Sequence, residues 1–210
     1  MSSPVGSPSW LATGRDRQLA IVSYTRMADM TEADLRLIDA DADQDARELP
    51  GRLMNAVAEL ERVQGPLKVN RLEHSLQSAT RAHRAGKDKE YVAAALLHDI
   101  GDALAPHSHG DMVAAVLRPF VSERVCWIVQ KHALFQSYYY AHLMGVDRNA
   151  RDKYIDHPFY DDCVEFCEHF DQNCFDPDYD SLPLEFFRPL VEEVFGHARH
   201  AADELPFVAP

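Results

Sequence analysis

The stretch YVAAALLHDI, residues 91–100, decides how this sequence folds. Its YVAAALL part is apolar on every side of a helix, which predicts a helix buried on all faces. Gly101 follows the stretch and favours the end of that helix. His98 and Asp99 therefore stand at the end of a buried helix, where an ionised carboxylate is costly unless a partner compensates for its lost hydration.

Helical periodicity continues on both sides of this stretch. The predicted helices cover residues 31–45, about 50–64, 70–86, 91–100, 111–117, 123–145, 149–154, 158–170 and 184–195. No window alternates apolar and polar residues between turn signals, as a half-buried strand does. The sequence therefore predicts an all-α helical bundle with a single domain at residues 21–200, between a flexible N-terminal arm (1–20) and a C-terminal tail (201–210).

Composition narrows the class of protein. The 210 residues carry a formal net charge of −13, which argues against binding to the nucleic-acid backbone or to anionic lipid. No stretch is long and apolar enough for a membrane span, and the N-terminus lacks the pattern of a secretory signal. We expect a cytoplasmic protein with neither a nucleic-acid nor a membrane partner, and the sequence leaves its oligomeric state open. The spacing of Cys126, Cys163, Cys167 and Cys174 fits no zinc ribbon, so free structural thiols are expected.

Histidines and aspartates recur within or at the ends of the predicted helices. The candidate metal ligands are His74, His98, Asp99, His109, His132 and Asp171. Helical bundles build dimetal sites from such inward-pointing side chains, and this mixed nitrogen and oxygen set suits iron, manganese or zinc. Asp99 is the natural bridge between two ions. His107 competes with His109 for one position, but His109 directly precedes the apolar run MVAAVL. An isolated histidine is more often exposed or satisfied in the core, and we assign no metal to the remaining ones.

The segments that carry these residues resemble a known family. RLEHSLQSA (71–79), YVAAALLHDIGD (91–102), HGDMVAAVL (109–117), KHALFQSYYY (131–140) and CEHFDQNCF (167–175) resemble the HD-domain superfamily. They are most similar to the branch with a dinuclear iron site that uses O2, which includes myo-inositol oxygenase and oxygenases that cleave organophosphonates. The resemblance covers about Asn70 to Phe195.

The resemblance implies a fold, a cofactor and an activity. It implies an HD-type helical domain that holds two iron ions in the mixed-valent Fe(II)/Fe(III) state. His74, His98, Asp99 and Asp171 match the ligands of one iron, and His109 and His132 match those of the second, with Asp99 as the bridging, catalytic ligand. The implied reaction is O2-dependent cleavage of the C–P bond of a small-molecule organophosphonate. The expected substrate is 1-hydroxy-2-(trimethylammonio)ethylphosphonate, which yields glycine betaine and phosphate.

Two departures from the family indicate how the substrate is bound. Asp102 stands where the enzymes that act on the primary-amine substrate have a histidine, and Gln136 stands where they have a lysine. A carboxylate at position 102 favours a cationic substrate. Tyr138 and Tyr140 are candidates for an aromatic cage around a quaternary ammonium group, although aromatic residues in this run also suit core packing.

The phosphonate group and the site cap have further candidates. Arg148, Arg151 and Lys153 offer cationic contacts to the phosphonate, and solvated surface side chains are the equal alternative. Tyr24 is the candidate for the tyrosine that caps the site in relatives.

Two other functions remain open at this point. A metal-dependent phosphohydrolase would use the same ligands to attack a phosphate ester, and it is the commoner activity among HD proteins. A degenerate HD fold that serves as a binding module is the third possibility. The intact set of ligand-type side chains argues against the module, because a scaffold requires none of them.

Overall fold

The computed structural model of the protein describes residues 20–63 and 65–198. Its α-helices are α1 Glu32–Glu59, α2 Arg71–Arg84, α3 Lys89–Leu97, α4 His109–Leu117, α5 Glu123–Gln136, α6 Tyr160–Glu165 and α7 Leu184–Phe195. A π-helical segment, Phe166–Asp171, continues α6 directly. Shorter 3-10 helices are Met27–Asp29, Leu60–Arg62, Ser137–Tyr139, Ala141–Met144 and Ala150–Tyr154. These ranges contain no strand, which confirms the all-α prediction.

The described chain divides into two compact units between Ala46 and Arg47. The predicted boundaries of one domain at 21–200 stay a prediction. The predicted tail, and the predicted arm up to residue 19, lie outside the described residues. None of the described helices combines the length and the apolar character that crossing a membrane requires.

In the unit that starts at Arg47, α3 is the central helix. Asp88 caps its start by accepting a hydrogen bond from the backbone N–H of Tyr91 at 2.9 Å. Every residue from Tyr91 to Leu97 is buried, as the apolar pattern predicts. The helix ends at Leu97, one residue before His98, rather than at the predicted Ile100. His98 and Asp99 consequently lie in a turn.

α2, α5 and α7 pack against α3, and α4 packs along α5. Buried residues of these helices form a common core. The π-helical segment contacts both α2 and α5. The four cysteines are buried and free, as expected.

Several predicted helix boundaries are wrong, and the first concerns Pro50. The residues predicted as separate helices before and after Pro50 form the single helix α1. Pro50 removes one backbone hydrogen bond, but it is buried, and Leu53, Met54 and Val57 in the next turns join the core, which offsets that loss.

Another difference concerns the helix predicted to reach Gly145. α5 ends at Gln136, where the Ser137 hydroxyl donates to the carbonyl of Leu134 at 2.7 Å. Two 3-10 helices replace the predicted continuation. The second ends at Met144 and is followed by Gly145, whose φ of 71° is left-handed. The predicted helix 158–170 is likewise α-helical only to Glu165.

Candidate metal centre

α2 supplies His74 to the centre. Asn70 and Glu73 form a capping box, in which the side chain of each accepts the backbone N–H of the other at 2.8 Å. This box fixes where α2 begins and therefore which face His74 occupies. His74 lies on the buried face, with 1% of its surface exposed.

The turn after α3 supplies His98 and Asp99. Adjacent residues inside a helix point about 100° apart and would not meet at one ion. Because α3 has already ended, His98 Nε2 lies 3.5 Å from Oδ2 of Asp99. Both side chains are buried.

α4 and α5 supply His109 and His132, and two glycines allow the close approach. A Cβ on Gly110 would lie 2.9 Å from the carbonyl oxygens of Val129 and Gln130, so only glycine lets α4 approach α5 this closely. A Cβ on Gly101 would lie 3.0 Å from Cβ of His109. His107, the rejected alternative, is exposed.

The π-helical segment supplies Asp171. Single π turns inside helices are frequent at functional sites, because the wider turn re-aims the side chains. Phe166, Cys167, Phe170 and Asp171 are all buried on the inner side of this segment. The Gln136 side-chain amide donates to Oδ1 of Asp171 at 2.5 Å.

Three of the candidate ligands form a first group around Oδ2 of Asp99. Nε2 of His74 lies 3.1 Å from Nε2 of His98 and 3.2 Å from Oδ1 of Asp171. The same His74 nitrogen lies 3.4 Å from Oδ2 of Asp99. Four side chains thus direct their ligand atoms at one point.

The other oxygen of Asp99 faces a second group. Nε2 of His109 lies 3.0 Å from Nε2 of His132. Oδ1 of Asp99 is 3.6 Å from the His109 nitrogen and 3.4 Å from the His132 nitrogen. The carboxylate of Asp99 therefore stands between the two histidine pairs, with one oxygen toward each.

The group that contacts Nδ1 of each histidine determines which ring nitrogen carries the proton. A carbonyl or an ionised carboxylate only accepts, so a ring Nδ1 that contacts one must donate. These contacts are His74 to the Cys174 carbonyl at 3.0 Å, His98 to Ala95 at 2.9 Å, His132 to Val129 at 2.7 Å, and His109 to the Asp102 carboxylate at 3.2 Å. In the neutral form of each ring, which metal binding requires, the lone pair of Nε2 is then directed at the centre.

Burial and the carboxylates shift the pKa values of these groups in different directions. Burial lowers the pKa of His98 to about 4. Burial also opposes protonation of His132, but its hydrogen bond to Asp99 and the charge of Asp99 outweigh it and raise that pKa to about 9. Burial opposes the ionisation of Asp99, yet His98 and His132 hold its pKa well below the usual value. The Asp99 carboxylate is therefore ionised at neutral pH.

The histidine nitrogens and carboxylate oxygens at this centre suit bound cations. Lone pairs on paired Nε2 atoms and carboxylate oxygens converge within hydrogen-bond distance, and lone pairs repel unless a positive charge lies between them. Oδ2 of Asp171 is buried and has no hydrogen-bond partner in the described residues. The ligand atoms also form three overlapping groups within 4.8 Å, namely His74–His98–Asp171, His98–Asp99–His132 and Asp99–Asp102–His109.

A cavity of about 430 Å³ opens onto the second group. Its polar wall consists of Arg71, Asp99, Asp102, His109, His132 and Gln136. Apolar residues of the loop before α2, including Leu67 and Val69, form the opposite part of the lining. The volume is in the range of small-molecule sites.

Three of the predicted substrate contacts line this cavity, namely Asp102, Gln136 and Tyr140. The lining does not include Tyr138, Arg148, Arg151 or Lys153. The guanidinium carbons of Arg148 and Arg151 lie 4.0 and 3.9 Å from the ring centroid of Tyr138, and Lys153 is exposed. Tyr24 belongs to the unit before Arg47. The roles of all these residues in substrate binding stay predictions.

Sequence reasoning missed Arg71. This residue lies one helical turn before His74, and its Nε contacts Oδ2 of Asp102 at 2.9 Å. Its Nη1 lies 3.6 Å from Oδ2 of Asp99. The available signal was its spacing of three residues from His74, which places both on one side of α2.

Comparison with known protein families gives one result. Residues 71–157 match the HD domain, and the matched segment contains every candidate ligand except Asp171. A search of curated proteins finds no match to the sequence. The chain thus contains an HD domain at residues 71–157, and its buried groups of histidine and aspartate support a metal-dependent enzyme of the HD type.

Proposed function

We propose that this protein is a dinuclear-iron oxygenase that cleaves the C–P bond of a 1-hydroxylated organophosphonate with O2. The expected substrate is 1-hydroxy-2-(trimethylammonio)ethylphosphonate. The observation that carries the proposal is the position of Asp99, whose two oxygens face two different histidine pairs at 3.4–3.6 Å. A carboxylate in that position suits two ions better than one. The resemblance to the O2-using branch of HD proteins supports iron as the metal.

Two iron ions would share these ligands. His74, His98 and Asp171 would hold one ion, His109 and His132 would hold the other, and Asp99 would contribute to both. When bound, mixed-valent iron supplies the O2 activation and redox chemistry that no protein side chain provides.

The protein positions the ligands and the substrate. Backbone carbonyls hold the Nδ1 protons of His74, His98 and His132, so that each Nε2 stays directed at the centre. The described lining of the cavity includes the cationic Arg71 and the anionic Asp102. A wall with both signs of charge suits a zwitterion such as a trimethylammonio phosphonate. Tyr140 also lines the cavity, and an aromatic ring suits a quaternary ammonium group.

A metal-dependent phosphohydrolase is the second candidate. The match to the HD domain over residues 71–157 supports it as well, because the match does not separate the two chemistries. A hydrolase would need no O2 and would act on phosphate esters.

The deciding experiment measures phosphate release with and without O2. Iron-loaded protein receives 1-hydroxy-2-(trimethylammonio)ethylphosphonate, its primary-amine analogue, or p-nitrophenyl phosphate, and Asp99→Asn serves as the inactive control. We expect phosphate only from a phosphonate, only with O2, and together with glycine betaine from the trimethylammonio compound.

The opposite pattern would overturn the proposal. Release of phosphate from the ester under argon, with the phosphonates intact, would assign the protein to the hydrolases. Full activity in the Asp99→Asn variant would exclude the site itself.

A further inference from the structure

We infer that Arg71 is the residue that binds the anionic group of the substrate and selects a tetrahedral oxyanion, a phosphonate or a phosphate. The inference rests on the proposed function only in that the substrate occupies the cavity beside the candidate metal centre. Arg71 is not among the candidate residues that the sequence indicates.

Among the described residues that line the cavity, Arg71 is the one arginine or lysine. Among these residues, Arg71 is therefore the one side chain that offers an anion in the cavity a permanent positive charge. About a third of the Arg71 side chain is exposed, so its charge is accessible from the cavity.

Asp102 holds the Nε side of the Arg71 guanidinium, and the Nη side remains available to bind an anion. Nε forms an ion pair with Oδ2 of Asp102 at 2.9 Å, which sets the orientation of the planar group. Nη1 is 3.6 Å from Oδ2 of Asp99, which is too long for a hydrogen bond. Guanidinium groups bind phosphate-type oxygens through two parallel N–H donors, and the Nη edge supplies such donors.

The available edge lies next to the candidate metal centre. The oxygen of Asp99 near Nη1 is the one that also faces His74 and His98. An anion bound by the Nη edge of Arg71 would therefore lie beside the candidate metal centre.

Asp102 is the positioning residue in this arrangement. Its Oδ2 contacts Arg71, and its Oδ1 contacts Nδ1 of His109 at 3.2 Å. One carboxylate thus orients both the anion receptor and a candidate metal ligand. Both oxygens of Asp102 are engaged, so a cationic head group would sense its charge without a hydrogen bond.

The other arginines near the centre lack this position. Arg148 and Arg151 stack on Tyr138 and do not line the cavity. Arg71 is therefore the better candidate for the anion contact than either of them.

The test measures binding of methylphosphonate to the iron-loaded protein under argon by isothermal titration calorimetry, with acetate as the planar comparison anion. The variants are Arg71→Gln and Arg71→Lys, and Arg84→Gln, at the other end of α2, is the matched control. We expect Arg71→Gln to weaken methylphosphonate binding by about 10- to 100-fold, the usual effect of losing a charged hydrogen-bond donor. Arg71→Lys should lie in between, Arg84→Gln should bind like the unchanged protein, and acetate should bind more weakly than methylphosphonate throughout.

Iron content is measured for each variant, so that loss of anion binding is separated from loss of metal. Equal methylphosphonate affinity in Arg71→Gln and the unchanged protein, no binding to the unchanged protein, or acetate binding as tightly as methylphosphonate would each overturn the inference. So would a loss of iron in Arg71→Gln that accounts for the weaker binding. None of these results depends on C–P cleavage, so the inference and the proposed function fail separately.

Discussion

Asp99 connects the two histidine pairs because its two oxygens point in different directions. Oδ2 faces His74 and His98, and Oδ1 faces His109 and His132. A residue with a single ligand atom at this position would serve one pair only. Its buried charge is tolerated because histidines and Arg71 surround it.

Replacing Asp99 by asparagine keeps the shape of the side chain and removes its charge. We expect Asp99→Asn to lose at least one of the two proposed metal equivalents per chain, because a neutral amide is a poor substitute for a carboxylate ligand. Metal content measured by elemental analysis after anaerobic iron loading checks this. Asp111→Asn on the exposed side of α4 is the control and should keep its metal. Unchanged stoichiometry in Asp99→Asn would contradict the bridging role.

The raised pKa of His132 predicts a pH effect in the metal-free protein. The pKa is about 9 in the folded chain and 6.5 for an ordinary histidine. A raised folded pKa gives stability that is complete below pH 6.5 and is lost as the pH rises through 9. We expect the Tm of metal-free protein to fall by about 3 °C or more over this interval. Bound metal replaces the proton, so metal-loaded protein should lack this fall. Parallel pH profiles of the two forms in differential scanning fluorimetry would disprove the effect.

At the level of elements, the contact between α4 and α5 decides whether the second histidine pair forms. Gly110 follows His109 directly, and Val129, whose carbonyl accepts the His132 Nδ1 proton, faces Gly110 across the contact. The backbone of α4 and the carbonyls of α5 meet without any side chain between them. The position of one histidine is therefore set by a residue that is not itself a ligand.

Gly110→Ala should separate α4 from α5 and weaken the second metal position. The added Cβ would meet backbone oxygens at 2.9 Å, and overpacking of this kind costs about 1–3 kcal/mol. We expect lower stability in urea unfolding and the loss of about one metal equivalent. Gly51→Ala in α1 is the matched control, since a Cβ there has no atom within 4 Å. That change should be neutral or slightly stabilising. Equal behaviour of the two variants would contradict the close-contact argument.

For the molecule as a whole, the candidate ligands come from segments that are distant in the sequence and meet at one site. They come from α2, the turn after α3, α4, α5 and the π-helical segment, between residues 74 and 171. Without a cation, the converging lone pairs repel one another in a buried site. Metal binding is therefore expected to stabilise the fold as well as enable a reaction.

Removing the metal should lower the Tm of the protein. A ligand at 100 times its Kd adds about 2.7 kcal/mol of stability, which corresponds to roughly 5–10 °C for a chain of this size. Fluorimetry with anaerobic Fe(II) and with chelator measures the difference. Ca²⁺ should restore little of it, because it prefers oxygen ligands. A Tm that does not depend on iron would show that the groups do not bind it in the folded protein.

Local signals in the sequence predict most of the helices. Asn70 and Ser122 mark the starts of α2 and α5, because a side-chain oxygen at each position satisfies a backbone N–H of the first turn. The apolar run before His98 predicted the buried helix, and the predicted ligand residues are the ones that the fold brings together. Local patterns carry this information because capping and periodicity act within one or two turns.

Other features of the fold and of the candidate site depend on contacts between residues that are distant in the sequence. The sequence did not show that α1 continues through Pro50, since packing of later turns offsets the lost hydrogen bond. Arg71 acquired its position only when the turn after α3 brought Asp99 and Asp102 to α2. The distances between helices also determine that each oxygen of Asp99 faces a different histidine pair. These contacts join residues that are far apart in the chain, so no local sequence pattern predicts them.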